Sequence, residues 1–372
     1  MRHMLRTTAL SAVLLGSASQ AFANTDGFHT VNGYRDAQGQ VGFELTQIGG
    51  YGELIVDVQG FGGMAFGKCV LAFKRAADGS IEDATPVQQQ SAASCPSEIA
   101  FTSKPGENGM LSVTFTEGGP LKGNTYDLFT VLRPFTEADA VTAPKGFDIL
   151  GMTIGEERPA IEAKLTAEGF ARLEGHSDTL SYRDGSTRAL EIWGKGTAAV
   201  GNKPEDYLYI TWTSKLEGDQ EPEKVAFLGR EWSVPASANL AIAVLDKSLA
   251  EKHGQGAMKG HIYYDRAGTA DPKAYGDVCD EKVHLQGVSV PYSSIGMRSD
   301  GETLKIACGA SVIIYTGEDF QAPGRASLMK VELRKGDVAY ADFWKTWSPA
   351  EAKRLQEAYE LQKGMTGAAP KL

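Results

Sequence analysis

The sequence predicts a two-domain chain: an all-β N-terminal domain, sandwich or barrel, then an α+β domain whose element order allows tandem helix-plus-antiparallel-sheet modules. Three observations predict it. Apolar residues recur at every second position up to about residue 135, as in strands with one buried face. Pro134 and Pro144 then bracket a small, polar, acidic stretch that reads as a linker. Beyond it, helical and strand periodicities take turns. The expected limits are 24–140 for the all-β domain, 145–345 for the α+β domain, with the boundary near 142, and 346–372 for a C-terminal helix and flexible tail.

In the first domain Leu54, Val56 and Val58 alternate with outward positions, as do Cys69, Leu71 and Phe73, then Leu111, Val113 and Phe115. Tyr126, Leu128 and Leu132 continue the pattern. Turn residues separate the runs at Gly49-Gly50, Gly62-Gly63, Asp78-Gly79, Pro105-Gly106 and Gly118-Gly119-Pro120. Cys69 is in phase with Leu71 and Phe73, so its sulfur should point inward.

In the second domain Glu157 to Glu168 predicts a helix, with Pro159 in the first turn, Ile161 and Leu165 on one face and Gly169 after it. The spacing of Ala241, Leu245 and Leu249 predicts another from Ser237 to His253. Strands are expected at Tyr207 to Trp212, at Ser311 to Tyr315, and where Met329, Val331 and Leu333 alternate with charged residues. Ser348-Pro349-Ala350-Glu351 has the form of a capping box with proline at the first helical position, so the last helix should begin there and end by Gly364.

The run Phe147-Asp148-Ile149-Leu150-Gly151, with Ile154-Gly155, Ile161, Leu165 and Gly169-Phe170, resembles a module of uncharacterised proteobacterial envelope proteins. Leu249 to Gly254 is similar to the second helix end of the same proteins, although His253 stands where tyrosine is usual. The helix-then-sheet order resembles the β-lactamase-inhibitor-protein-like fold. That resemblance implies a fold and a habit of binding other proteins. It supplies no catalytic residue.

The first residues predict export. Arg2, His3 and Arg6 precede the apolar run Ala9 to Leu15, and Ala21-Phe22-Ala23 forms a small-x-small cleavage site. This is the pattern of a signal peptide over 1–23, and the run is far shorter than the ~20 residues of a spanning helix. The expected location is periplasmic or secreted. The chain carries 37 basic and 47 acidic residues, a net charge of −10 that falls to −12 without Arg2 and Arg6. Such a balance disfavours nucleic acid and anionic membranes as partners.

Four cysteines in an oxidising compartment read as disulfides. Three connectivities are open, and the two pairs lie in separate halves, which favours Cys69–Cys95 and Cys279–Cys308. The resemblance also implies a disulfide between Cys279 and Cys308.

Catalytic signatures each require a definite spacing of residues. Gly287-Val288-Ser289-Val290-Pro291 lacks the second glycine of a nucleophile elbow. His29, His176, His253, His261 and His284 form no His-Glu-x-x-His pair, so no metal is expected. Asp265, Asp271, Asp277, Asp280 and Glu281 lack the order of a calcium loop and read as a solvated loop. Phe343, Trp344 and Trp347 read as pins holding the last helix to the core, with a partner anchor as the alternative. No catalytic, cofactor-binding or metal residue is assigned, and no cofactor is expected.

The resulting expectation is a non-enzymatic exported binding or interaction protein of the bacterial cell envelope, engaging an envelope protein or a small ligand. The alternatives are an envelope or secreted hydrolase with a family-specific carboxylate or histidine site, and a protein inhibitor of a secreted enzyme.

Overall fold

A computed structural model of the chain describes residues 27–30, 41–58, 67–75, 81–86, 95–96, 98–105, 110–132, 134–137, 140, 142–143, 145–174, 178–181, 187–196, 204–253, 261–264 and 310–367. The described residues form two antiparallel sheets and three α-helices.

The first sheet holds β1 (Gly27–Thr30), β2 (Val41–Ile48), β3 (Tyr51–Val58), β4 (Gly67–Arg75), β5 (Ile81–Pro86), β6 (Ala100–Pro105), β7 (Met110–Glu117) and β8 (Thr125–Leu132). Their order is β5-β4-β3-β2-β1-β8-β7-β6. Between β2 and β3 the turn is Gly49-Gly50, with φ of 61° and 82° and Ile48 opposite Tyr51. A two-residue hairpin turn whose twist matches its strands needs positive φ at both positions, which glycine adopts without steric cost.

This sheet is rolled. Phe73 on β4 and Phe101 on β6 lie six strands apart in the order, yet their ring centroids are 5.3 Å apart, edge to face. Phe43, Leu54, Val56, Leu71, Val113, Phe115 and Leu128 complete one continuous core. Cys69 and Cys95 form a disulfide with Cα atoms 5.6 Å apart, tying β4 to the segment that leads into β6. Closing that loop of 26 residues contributes about 3.5 kcal/mol on the chain-entropy estimate. Cys279 and Cys308 lie outside the described residues.

The second sheet holds β9 (Ala171–Arg172), β10 (Asp178–Ser181), β11 (Thr187–Lys195), β12 (Asp206–Trp212), β13 (Val225–Ser233), β14 (His261–Tyr264), β15 (Ala310–Glu318) and β16 (Ala326–Lys335). Its order is β10-β11-β12-β13-β16-β15-β14, with β9 paired to β11. Helix α1 (Arg158–Ala167) precedes β9 to β13, and α2 (Ile242–His253) precedes β14 to β16. The two runs join where β13 pairs antiparallel with β16.

Strand alternation separates the faces. Trp193, Leu208, Ile210 and Leu228 share a core with Ile161 and Leu165 of α1 and with Leu245 and Leu249 of α2. Ile192, Tyr207, Tyr209 and Phe227, their odd-even neighbours, form a separate cluster on the opposite face.

Two helix starts differ from expectation. Helix α2 begins at Ile242, not Ser237: residues 236–238 form a separate 3-10 turn, and Asn239 at φ 51° interrupts the helical path. Ala241, expected on the buried stripe, instead bridges to Arg325. The last helix, α3 (Gly336–Gly367), starts twelve residues before Ser348. Asp337, in its first turn, accepts the Val338 N–H at 2.8 Å and so satisfies one of the helix's free N-terminal donors. Trp344 is buried with its ring 5.4 Å from that of Trp347, so tertiary packing carries the helix through Pro349. Ser348 is fully buried inside the helix and makes no cap.

Helix α3 touches both sheets. Its first half meets the turn after β12: Asp342 accepts the Ser214 N–H at 2.6 Å, and Lys345 donates to the Ser214 carbonyl at 3.1 Å. Its second half lies across β2, β3 and β4. Ile48, Val70 and Ala72 point away from the first core and are buried, as is Leu355 of the helix. Tyr359 meets Tyr51 at 5.6 Å.

Candidate functional site

The hairpin between β15 and β16 carries the most exposed large apolar side chain among the described residues. Phe320 has a relative exposure of 102%. Its loop is braced from within: Asp319 accepts the Gln321 N–H at 2.8 Å, and Glu318 accepts the Gly324 N–H at 2.5 Å. Asp319 N–H donates to the Arg325 carbonyl at 2.8 Å. It is braced from outside as well. The Ala326 N–H donates to the Leu240 carbonyl and the Ile242 N–H to the Gly324 carbonyl, both at 2.9 Å. Val244, 60% exposed, stands in the first turn of the helix so attached. Covering a Phe ring gains roughly 1.5–3 kcal/mol, which this loop leaves unused.

A cavity of about 270 Å³ lies between the turn after β12 and the first half of α3, with Phe135 on its wall. Its carboxylates are committed. Asp342 accepts from both the N–H and the hydroxyl of Ser214. Asp337 holds Lys335 at 3.1 Å. Asp219 holds Lys345 at 2.5 Å and accepts the Leu216 N–H. The Lys345 hydrogen bond, then the Leu216 amide, keep the Asp219 carboxyl below its ordinary range. These groups staple the turn to the helix.

Two further charged clusters sit on the second sheet. Glu191 accepts from Trp193 Nε1 at 2.8 Å, Trp212 Nε1 at 3.2 Å and Arg158 at 2.8 Å, with Arg172 at 3.6 Å. Arg158 also holds Glu162 and Glu223 and stacks over Trp212. Burial opposes its charge, but Glu162, Glu191 and Glu223 outweigh that and raise its pKa. On the opposite face the Tyr209 hydroxyl donates to Glu332 at 3.1 Å, and Lys330 holds the same carboxylate at 2.8 Å. Burial and then the Glu332 charge push the phenol well above its usual value.

Of the residues singled out in the sequence, His253 ends α2 with its ring 5.7 Å from that of Phe147. Burial, then Lys252, hold it below its ordinary pKa, against a smaller pull from Asp148. His29 and His261 lie on β1 and β14. His176, His284, Ser289, the acidic stretch from Asp265 to Glu281 and the Phe343 side chain lie outside the described residues. No group of three or more metal-ligating side chains comes together among the described residues. Sequence reasoning missed Phe320. Its signal was a lone aromatic between Asp319 and Gln321, just before Pro323-Gly324.

Comparison with protein-family models, with curated proteins and with solved structures finds no match to this chain.

Proposed function

We propose that the chain is a non-enzymatic binding protein of the bacterial cell envelope, exported to the periplasm or beyond, and that it meets its partner through the β15–β16 hairpin. The observation that carries this reading is Phe320, a bare ring on a loop held rigid by side chains and by α2. Aromatic anchors dominate binding energy, and a pre-ordered loop loses little entropy when it docks.

Export is supported by the basic, apolar, then small-residue start of the sequence. The Cys69–Cys95 disulfide is compatible with an oxidising compartment. No described helix is long and apolar enough to cross a membrane. The twice-repeated order of a helix followed by antiparallel strands supports the resemblance to the β-lactamase-inhibitor-protein-like fold. Phe320 also favours a second reading, a protein inhibitor whose hairpin plugs the cleft of a secreted enzyme. An inhibition panel with secreted hydrolases at micromolar protein separates this reading from the first.

The direct test places a photo-crosslinking residue at position 320 and, as control, at Glu217 on another exposed turn. One discrete adduct from 320 alone is the expected result. Equal or absent adducts at both positions overturn the reading.

A further inference from the structure

The cavity between the turn after β12 and the first half of α3 is lined by apolar and charged groups together. Phe135, Pro222, Val338 and Ala341 supply its apolar surface, and Lys215, Lys224 and Lys345 border it. Its volume of about 270 Å³ sets the size of an occupant. An apolar cavity of roughly 150 Å³ accepts one benzene ring, so this one has room for a ring and a short polar arm.

Backbone pairing brings two of the lysines to this place. The Thr213 N–H donates to the Lys224 carbonyl at 2.7 Å, and the Lys224 N–H to the Thr213 hydroxyl at 2.9 Å. Lys224 therefore stands beside Thr213, and Lys215 lies two residues further along the facing segment. The carboxylates of the lining are already met. Asp219 pairs with Lys345, Asp337 with Lys335 and Glu223 with Arg158, while Asp342 accepts the N–H and hydroxyl of Ser214. Glu221 is the fifth, and it holds Lys224 at 3.1 Å. Counting Lys335 and Arg158 behind the wall, five cations balance the five carboxylates, so no surplus negative charge repels an anion.

The lysines are spent less fully than the carboxylates. An ammonium group has three donors and no acceptor. Lys215 is exposed and forms no ion pair with a described residue. Its charge helps to hold the Asp219 carboxyl down, more weakly than that of Lys345. Lys224 commits one donor to Glu221, with the two side chains 41% and 79% exposed. A pair so open to water contributes little and opens readily. The cavity thus offers donors beside an apolar wall, which is the pattern of a site for an amphipathic anion.

We propose that this cavity binds a small aromatic carboxylic acid: its carboxylate is held by Lys215 and Lys224, and its ring lies against Phe135, Val338 and Ala341. A carboxylate has acceptor sites enough for both lysines, and an aromatic ring on Phe135 gains contact at little entropic cost. Lys345 stays with Asp219 and keeps the wall in place. The site is separate from the β15–β16 hairpin and does not depend on it.

Fluorine NMR of three probes with the full chain at pH 7 tests this: para-fluorobenzoate, para-fluorobenzylamine and para-fluorobenzyl alcohol, which share a ring and differ in charge. The benzoate is expected to bind saturably, with a Kd of about 1 mM or below, and about tenfold more tightly than the amine or the alcohol. Lys215→Gln and Lys224→Gln should each weaken it severalfold, and Ala341→Leu, which fills the cavity, should abolish it. Phe320→Ala should leave it unchanged. Lys215 is exposed, so Lys215→Gln reads the contact and not the fold. No saturable binding of the benzoate, or equal binding of the amine, overturns the proposal. So does an affinity that survives both lysine substitutions or Ala341→Leu, or one that is lost in Phe320→Ala.

Discussion

The ring of Tyr209 on β12 lies over Gly229, directly opposite it on β13: a Cβ built on Gly229 would be 2.2 Å from the ring. Phe73 and Gly52 repeat the arrangement in the first sheet, again as directly opposed residues, at 2.1 Å. In each case the missing side chain leaves room for an aromatic ring to lie flat on the neighbouring strand. Gly229→Ala should therefore destabilise the protein by about 1–3 kcal/mol through overpacking. The double variant Gly229→Ala/Tyr209→Leu should lose less than the sum of its singles. Urea unfolding with an unchanged slope checks both.

Strand alternation made most of the sheets readable, because period 2 is fixed by backbone geometry. It did not reveal that outward faces are buried too. Thr46 and Glu53 look like solvent positions in sequence, yet both are covered where α3 crosses β2–β4. The start of α3 lies before the expected one for a related reason. Ser348-Pro349-Ala350-Glu351 carries the local chemistry of a helix start, but the contacts of Asp342, Trp344 and Lys345 continue the helix back to Gly336. Local capping signals weigh about 1 kcal/mol and yield to packing of that extent. The charged clusters were illegible because their members lie far apart in the chain, as with Arg158 and Glu223.

Glu191 joins two indole N–H groups and two arginines at a side chain only 10% exposed. Glu191→Ala should cost about 3–5 kcal/mol, since it strands buried donors and Arg158 together. Glu191→Gln should cost less, because its carbonyl oxygen can still accept a hydrogen bond. Thermal unfolding of the two variants compares them.

His253 should make the protein less stable in mild acid. Its folded pKa lies below the ordinary 6.5, so between those values the unfolded chain binds a proton that the native chain does not. Stability then rises with pH across that window. His253→Gln should flatten this part of the profile, measured as the difference in urea midpoint from the wild type between pH 5 and 7.5.

On α3, Leu355 is fully buried and Leu361 is 63% exposed. Leu355→Ala should cost about 2–5 kcal/mol and Leu361→Ala no more than about 0.5 kcal/mol. Similar losses at both positions, read by urea midpoint, would show that the second half of the helix does not pack on β2–β4.

The central claim is that Phe320 anchors a partner. Its most direct measurement is the affinity of the species crosslinked at position 320 for the wild type and for Phe320→Ala. The side chain touches little of its own fold, so the unfolding midpoint should stay within about 0.5 kcal/mol of the wild type. A hot-spot ring removed from an interface costs about 2 kcal/mol or more, so affinity should fall roughly thirtyfold. Unchanged affinity in a normally folded Phe320→Ala protein would contradict the claim.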